Sequence, residues 1–346
     1  ALYHWQSGNL TQARDYYAES ARVQESQTER NDIQYAGLLH NLGLLYNDTG
    51  DYEAAAKTYA ESVRIRRAAG SERDNYMPLT LYALAHTRTR LGDYPSAYRN
   101  YLETVPLQAA VAGREQHLVA YALTGFGMML EEIGEMNGAA TLLEEANRIF
   151  DVLFEEPHKD QATTWIGLAR VAFHTGDFNE GRELLDRALE LRMREDGEDD
   201  FSTLRTYSTI GRLEFARGNF DAAATALGHA LDRLIAYDGS EHPFSIEART
   251  WLGRTQSALG NHEQGIALLR EARALGESLF APGHVENVQR RVWLGEALIA
   301  SGNTAEGETM ADTARSAMAD IEQGWHRALQ DNPLPALEDL LTLAAD

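Results

Sequence analysis

Eight glycines, Gly8, Gly50, Gly92, Gly134, Gly176, Gly218, Gly260 and Gly302, stand 42 residues apart with no insertion or deletion between them. Chance does not hold such a register. A fixed period of this size builds a solenoid from one repeated supersecondary unit. The residue after each glycine is Asn9, Asp51, Asp93, Glu135, Asp177, Asn219, Asn261 or Asn303. Asp and Asn side chains can accept from the free N–H groups at a helix start. Pro95 falls inside such a first turn, where its missing N–H costs nothing. A helix is therefore expected just after each glycine.

Five residues past the glycine lie Ala13, Ala55, Ala97, Ala139, Gly181, Ala223, Gly265 and Gly307. Uniform smallness predicts that another backbone passes close by. Nine past it lie Tyr17, Tyr59, Tyr101, Leu143, Leu185, Leu227, Leu269 and then Ala311, a row of large knobs that ends in the last repeat. Eight residues before the glycine lie Leu42, Leu84, Phe126, Leu168, Ile210, Leu252 and Leu294, each followed by Gly or Ala. These offsets keep one face of each helix apolar. Each unit reads as a first helix, a tight turn at the glycine, a second helix and a short polar loop. Neither helix can bury its face alone, so each unit stacks on the next.

The stretch LLHNLGLLYNDTGDYEAAAKTYAES, from Leu38 to Ser62, resembles the tetratricopeptide repeat family. The family's pattern wants a bulky residue, Leu-Gly, an aromatic, then Ala, an aromatic and Ala. The resemblance spans almost the whole chain. The common unit has about 34 residues. The 42-residue unit and loops such as GSEHP (239–243) look like the kinesin-light-chain subgroup, which also occurs in bacterial regulators and serine/threonine kinase tails. The implied fold is all-α, a right-handed superhelical solenoid of antiparallel helix pairs. Seven full repeats follow a truncated first one over residues 1–322, and residues 323–346 form a C-terminal capping segment. In that segment Pro335 opens a last helix with Leu337, Leu340, Leu341 and Ala344 on one face; a docking helix for a partner is the other reading. Ala1 matches the small notch of a first helix, so the native protein is expected to continue upstream with a further domain.

Composition narrows the function. The absence of Cys removes disulfides, thiol nucleophiles and thiolate zinc sites. A net charge of −22 repels nucleic acid and anionic membrane faces. No apolar run approaches the about 18 residues of a membrane-spanning helix, and the N-terminus is not a signal peptide. There is no phosphate-binding loop with Lys, no Gly-x-Ser-x-Gly and no His-Glu-x-x-His; HEQGI at His262 lacks the second His. His158, His242 and His284 share one repeat position; equivalent atoms in adjacent repeats stand about 10 Å apart, so they cannot share an ion, and loop and capping roles are expected. Adjacent acids such as Glu131–Glu132 point apart on a helix. The chain reads as a non-enzymatic, cytoplasmic protein without metal or cofactor.

Function must then come from a surface. The resemblance places the first helix of each unit on the concave side, with offsets −10, −6 and −3 from the glycine as the exposed stripe. Arg170, Arg212 and Arg254 occupy one of these positions in three consecutive repeats. Phe173 and Phe215 lie one turn along, Ser208 and Thr250 one turn back, and Trp251 and Trp293 share a neighbouring position. A cationic row flanked by aromatic faces suits an acidic peptide or a terminal carboxylate, with the Trp pair as anchors. The other reading is internal: Arg170 pairs with Glu131 and Arg254 with Glu296, only Arg212 lacks a partner, and the aromatic rings fill gaps. The peptide-gripping Asn of the subgroup recurs here only at Asn41. The expected function is a protein-interaction scaffold binding an acidic or amphipathic segment, with no role in nucleic-acid or membrane binding. The alternative is a regulatory or self-associating region of a larger protein such as a bacterial serine/threonine kinase.

Overall fold

The computed structural model describes residues 10–26, 31–71 and 74–342. Gly8, Asn9 and Ala344 lie outside them. The described residues form helices joined by turns and loops, with no strand among them. The helices are α1 (Leu10–Glu25), α2 (Asp32–Asp48), α3 (Tyr52–Ala68), α4 (Tyr76–Arg90), α5 (Tyr94–Ala112), α6 (His117–Glu132), α7 (Met136–Leu153) and α8 (Gln161–Thr175). They continue with α9 (Phe178–Glu195), α10 (Phe201–Ala216), α11 (Phe220–Asp238), α12 (Pro243–Ala258), α13 (His262–Leu279), α14 (Val285–Ala300), α15 (Thr304–Asp331) and the one-turn α16 (Leu337–Leu340). No described helix is long and apolar enough to cross a membrane.

The chain divides into two compact units. One comprises residues 1–129 with 333–346, the other residues 130–332. In the first, α2 packs on α3 and α4 on α5; in the second, α8 packs on α9, α10 on α11, α12 on α13 and α14 on α15. Successive pairs also pack on one another, α3 on α4, for example, and α11 on α12.

The turns inside the pairs share one chemistry. Gly50, Gly92, Gly134, Gly176, Gly218, Gly260 and Gly302 all have φ between 71° and 91°, a region open to Gly at no steric cost. The N–H after each glycine reaches back five residues to a helical carbonyl, as in Asp51 N to Tyr46 O and Asn303 N to Leu298 O, both 2.9 Å. This is the bond that closes a Schellman-type helix end. At these turns the three Asp cap, while Glu135 and the three Asn do not. Asp51, Asp93 and Asp177 accept from the N–H three residues on, at 3.1, 3.3 and 3.1 Å. Asn219, Asn261 and Asn303 do not cap. Their amides instead donate to Glu214, Gln256 and Glu306. An Asn carries its own donors, and a nearby acceptor captures them; a carboxylate has no such option.

The small notch is where the paired backbones meet. Ala55, Ala97, Ala139 and Ala223 are fully buried. In the last two pairs even a methyl group does not fit. A Cβ on Gly265 would stand 2.8 Å from Gly253 O, and one on Gly307 would stand 2.6 Å from Gly295 O. The knobs fill the remaining space: Tyr59 and Tyr101 in the first unit and Leu185, Leu227 and Leu269 in the second are buried. His242 and His284 are the N-caps of α12 and α14, while His158 lies two residues before the N-cap Asp160 of α8. Nδ1 of His158, His242 and His284 accepts from the N–H two residues on, at 3.2, 3.3 and 3.2 Å.

At the C-terminus, α15 runs without a break through position 322 to Asp331. Residues from Pro333 belong to the first unit, where α16 packs on α5 with Leu340 and Leu341 buried.

Gly307→Ala should destabilise the chain by about 1–3 kcal/mol, the usual cost of overpacking. Gly324→Ala, exposed and with nothing within 4 Å of its would-be Cβ, should stabilise it by about 0.5–1 kcal/mol through helix propensity. Urea denaturation of the two variants beside the parent chain measures both.

Candidate functional site

The sequence-derived site lies wholly in the second unit. Its side chains sit on α8, α10, α12 and α14, the first helices of four successive pairs. Each of these touches the next, so a residue at one offset faces its counterpart 42 residues on. Most of the residues are brought together, but the three arginines meet different fates.

Arg170 is nearly buried and pairs with Glu131, whose side chain is 2% exposed; Glu132 lies 3.8 Å away. His174 Nε2 adds a 2.9 Å contact to the same carboxylate. Burial alone would raise the pKa of Glu131. Arg170, the hydrogen bond from His174 and the field of Arg212 outweigh it and hold the carboxyl below its usual range.

Arg212 pairs with Glu247 at 2.9 Å, both about a quarter exposed (28% and 27%). Its guanidinium also lies 4.9 Å from the centre of the Trp251 ring. Burial and the neighbouring Arg170 lower its pKa against the pull of Glu247.

Arg254 is held differently. Its guanidinium carbon lies 4.0 Å from the Trp293 ring centre, 4.6 Å from that of Trp251 and 4.7 Å from that of Phe215. The rings contact one another, Trp251–Trp293 at 5.0 Å and Phe215–Trp251 at 5.7 Å. Among the described residues Arg254 makes no ion pair and no hydrogen bond. Burial, reinforced by Arg212 and opposed by Glu296, lowers its pKa to about 10, so it stays charged at neutral pH. Three cation–π contacts, each worth about 0.5–2 kcal/mol, take the place of a carboxylate.

The expected internal pairing is thus half realised and half exchanged. Arg170 finds Glu131. Glu296, the expected partner of Arg254, pairs with Arg315 at 3.0 Å instead, and Arg212, expected to lack a partner, has Glu247. Side chains at one repeat position stand a helix–helix spacing of about 8–10 Å apart. Rings span that gap, but Glu296 does not come within ion-pair distance of Arg254. The realised pairs are 39 residues apart (131 and 170) and 35 apart (212 and 247). They correspond to one repeat less about one or two helical turns, and that offset is the signal by which Glu247 was discoverable.

Three of the other candidates face inward. Thr250 is 2% exposed; its hydroxyl donates to Ile246 O at 2.7 Å and accepts from Arg290 Nε at 3.3 Å. Ser208 is also buried. The −10 position therefore belongs largely to the seam between neighbouring first helices, and His40, Thr124 and Val292 at the same offset are buried too. Phe173 packs beside Ala169, Leu185, Ile210 and Leu213. Its ring covers the notch at Gly181, where a Cβ would approach Cε1 to 2.0 Å. The exposed cluster is reduced to Arg212, Phe215, Trp251, Arg254 and Trp293, all half-buried.

Stacked helix pairs joined by left-handed glycine turns place the chain among the α-helical repeat proteins. Tetratricopeptide repeat models match residues 1–68, 160–236, 209–280 and 288–313. The chain belongs to the tetratricopeptide repeat family. No curated protein matches it in sequence. Among solved structures it is similar to a Rap protein complexed with competence and sporulation factor, with 14% identity, a TM-score of 0.62 and coverage of 95% of this chain and 88% of the other. It is also similar to the apo form of RapI, with 17% identity, a TM-score of 0.60 and coverage of 80% and 96%. The apo quorum sensor NprR from B. thuringiensis shares 14% identity at a TM-score of 0.59, covering 91% and 84%. These likenesses establish the fold.

Glu131→Gln should destabilise the second unit by about 3 kcal/mol at pH 7, because it leaves the nearly buried Arg170 only the longer contact to Glu132 at 3.8 Å. The pKa of Glu131 is depressed in the folded state. Its contribution is therefore complete above the ordinary carboxylate value of 4.5 and is lost as pH falls through the lower folded value. The gap between parent and variant in urea unfolding should hold from pH 7 to about 5 and close below 4.5.

Proposed function

We propose that the chain is a non-enzymatic protein-interaction scaffold, and that its second unit takes an acidic or amphipathic segment of a partner protein. Arg254 carries this reading. A guanidinium has five N–H donors and no acceptor capacity; here it is partly desolvated, packed among three rings, and without an ion pair or hydrogen bond among the described residues. Its neighbours Arg170 and Arg212 are already neutralised. A carboxylate on a partner would complete the row, and apolar groups beside it would find Trp251, Trp293 and Phe215. Such an anchor combines a charge-assisted bond with aromatic burial, the combination that dominates many interfaces. The fold agrees with this role, since the Rap protein of similar structure is complexed with competence and sporulation factor.

A displayed peptide library selected against the full chain should enrich Asp, Glu or a free C-terminus next to Trp, Phe or Leu. Arg254→Gln should weaken the selected peptides about tenfold or more, from loss of a charged hydrogen bond worth about 1.5–3 kcal/mol. It should also flatten the salt dependence. Fluorescence anisotropy reads both effects. Selected peptides that bind Arg254→Gln with unchanged affinity would remove this assignment.

A further inference from the structure

His40, on α2, lies where three helices of the first unit meet, and it is 9% exposed. Its ring centre is 5.8 Å from that of Tyr59 on α3 and 6.4 Å from that of Tyr76 on α4. Its Nδ1 stands 3.1 Å from the Thr80 hydroxyl oxygen. That hydroxyl has a single proton, and it donates to Tyr76 O at 2.7 Å. Nδ1–H is therefore the donor to Thr80, and Nε2 is the bare nitrogen on which acid acts.

A second basic group is buried beside the ring. Arg66 of α3 is 1% exposed. One of its terminal nitrogens lies 3.9 Å from where a Cβ on Gly37 would stand, one turn before His40. Its guanidinium carbon lies 5.3 Å from the Tyr76 ring centre. Arg66 pairs with Asp74, just before α4. That carboxylate already accepts three hydrogen bonds, on Oδ2 from Arg66 and on Oδ1 from the N–H groups of Tyr76 and Met77 at 3.0 and 2.7 Å. Burial, reinforced by Asp48 of α2, holds the Tyr59 phenol above its usual range, so it supplies no anion. In α1 the charges pair among themselves, Arg14 with Asp15 and Arg22 with Glu19. Among the described residues Arg66 is the one charge acting on the imidazole.

We propose that His40 is a proton-operated latch of the first unit: a proton taken up at Nε2 sets a second buried cation beside Arg66, and the first turns of α4, from Tyr76 to Thr80, come away from α2 and α3. Like charges repel strongly where water is excluded. Tyr76, 55% exposed, is the side of the cluster open to water, so the strain is relieved there. Burial, and after it Arg66, lowers the pKa of His40 from 6.5 to about 4. The neutral ring's contribution is complete above 6.5 and is lost as pH falls from 6.5 toward 4. At pH 5 the ratio of open to closed seam should be about thirtyfold higher than at pH 8. The latch is independent of the Arg254 cluster, which lies in the other unit.

Hydrogen–deuterium exchange of the full chain tests this, with each rate divided by its intrinsic value at the same pH. Protection at the amides of residues 79–84 should fall about thirtyfold between pH 8 and pH 5, while that of α10 in the second unit changes less than about threefold. In His40→Gln the fall in α4 should shrink to less than about threefold. Arg66→Gln combined with Asp74→Asn removes the neighbouring charge but keeps the imidazole, and should leave a smaller fall than the parent shows. Unchanged protection of α4 in the parent chain, an equal fall in α10, a full fall in His40→Gln, or one undiminished in the double variant would each overturn the proposal.

Discussion

The structure depends on how closely two helices of a pair approach at the notch. A glycine carbonyl at 253 or 295 lies so near the facing helix that a methyl group there has no room. This contact in the last two pairs, and a buried alanine at the same position in others, go with the left-handed glycine of the turn to set how closely the paired helices approach. Once the pair is fixed, a constant length of chain returns each next pair to the same position. The 42-residue register of the sequence is the linear record of that contact. A repeat with a large residue at the notch would splay, and the seam beyond it would open to water.

From this register follows a rule about rows. Equivalent side chains in consecutive pairs lie side by side, separated by a helix–helix distance. Aromatic rings bridge that distance, as Trp251 and Trp293 do at 5.0 Å. Opposite charges meet only when displaced along the helix, as Glu131 with Arg170 and Glu247 with Arg212. A chain that stacks arginine at one position through three pairs must neutralise each from a displaced position. It does so twice. At Arg254 the row of ion pairs stops and the row of rings begins, and the fold leaves one cation in contact with rings, with Glu296 acting only from beyond ion-pair distance.

Much of this was legible in advance. The helix pairs, the glycine turns, the buried knobs and the caps at His242 and His284 follow from spacing, because they are local or repeat from pair to pair. The ion-pair map was not legible in full. Arg254–Glu296 was reasoned from the same position in adjacent pairs, where distance forbids contact, while Glu247 sat two turns away from the offset considered. Ser208 and Thr250 looked exposed because a 3.6-residue period marks a face without saying how deeply a neighbouring helix overlaps it. The three Asn at turn positions were expected to behave as the three Asp do, but their donors found nearer acceptors. In the tail the apolar face with Leu340 and Leu341 was legible and both are buried, but periodicity says nothing about where a segment outside the repeat packs, and its place on α5 is a tertiary choice.

The central claim is that Arg254 is held by rings and not by a carboxylate. Paired double-mutant cycles in urea unfolding test it most directly, crossing Arg254→Gln first with Trp293→Leu and then with Glu296→Gln. The account predicts a coupling of about 1 kcal/mol to Trp293 and a smaller one to Glu296, whose charge reaches Arg254 only from beyond ion-pair distance. A larger coupling to Glu296 than to Trp293 would contradict it.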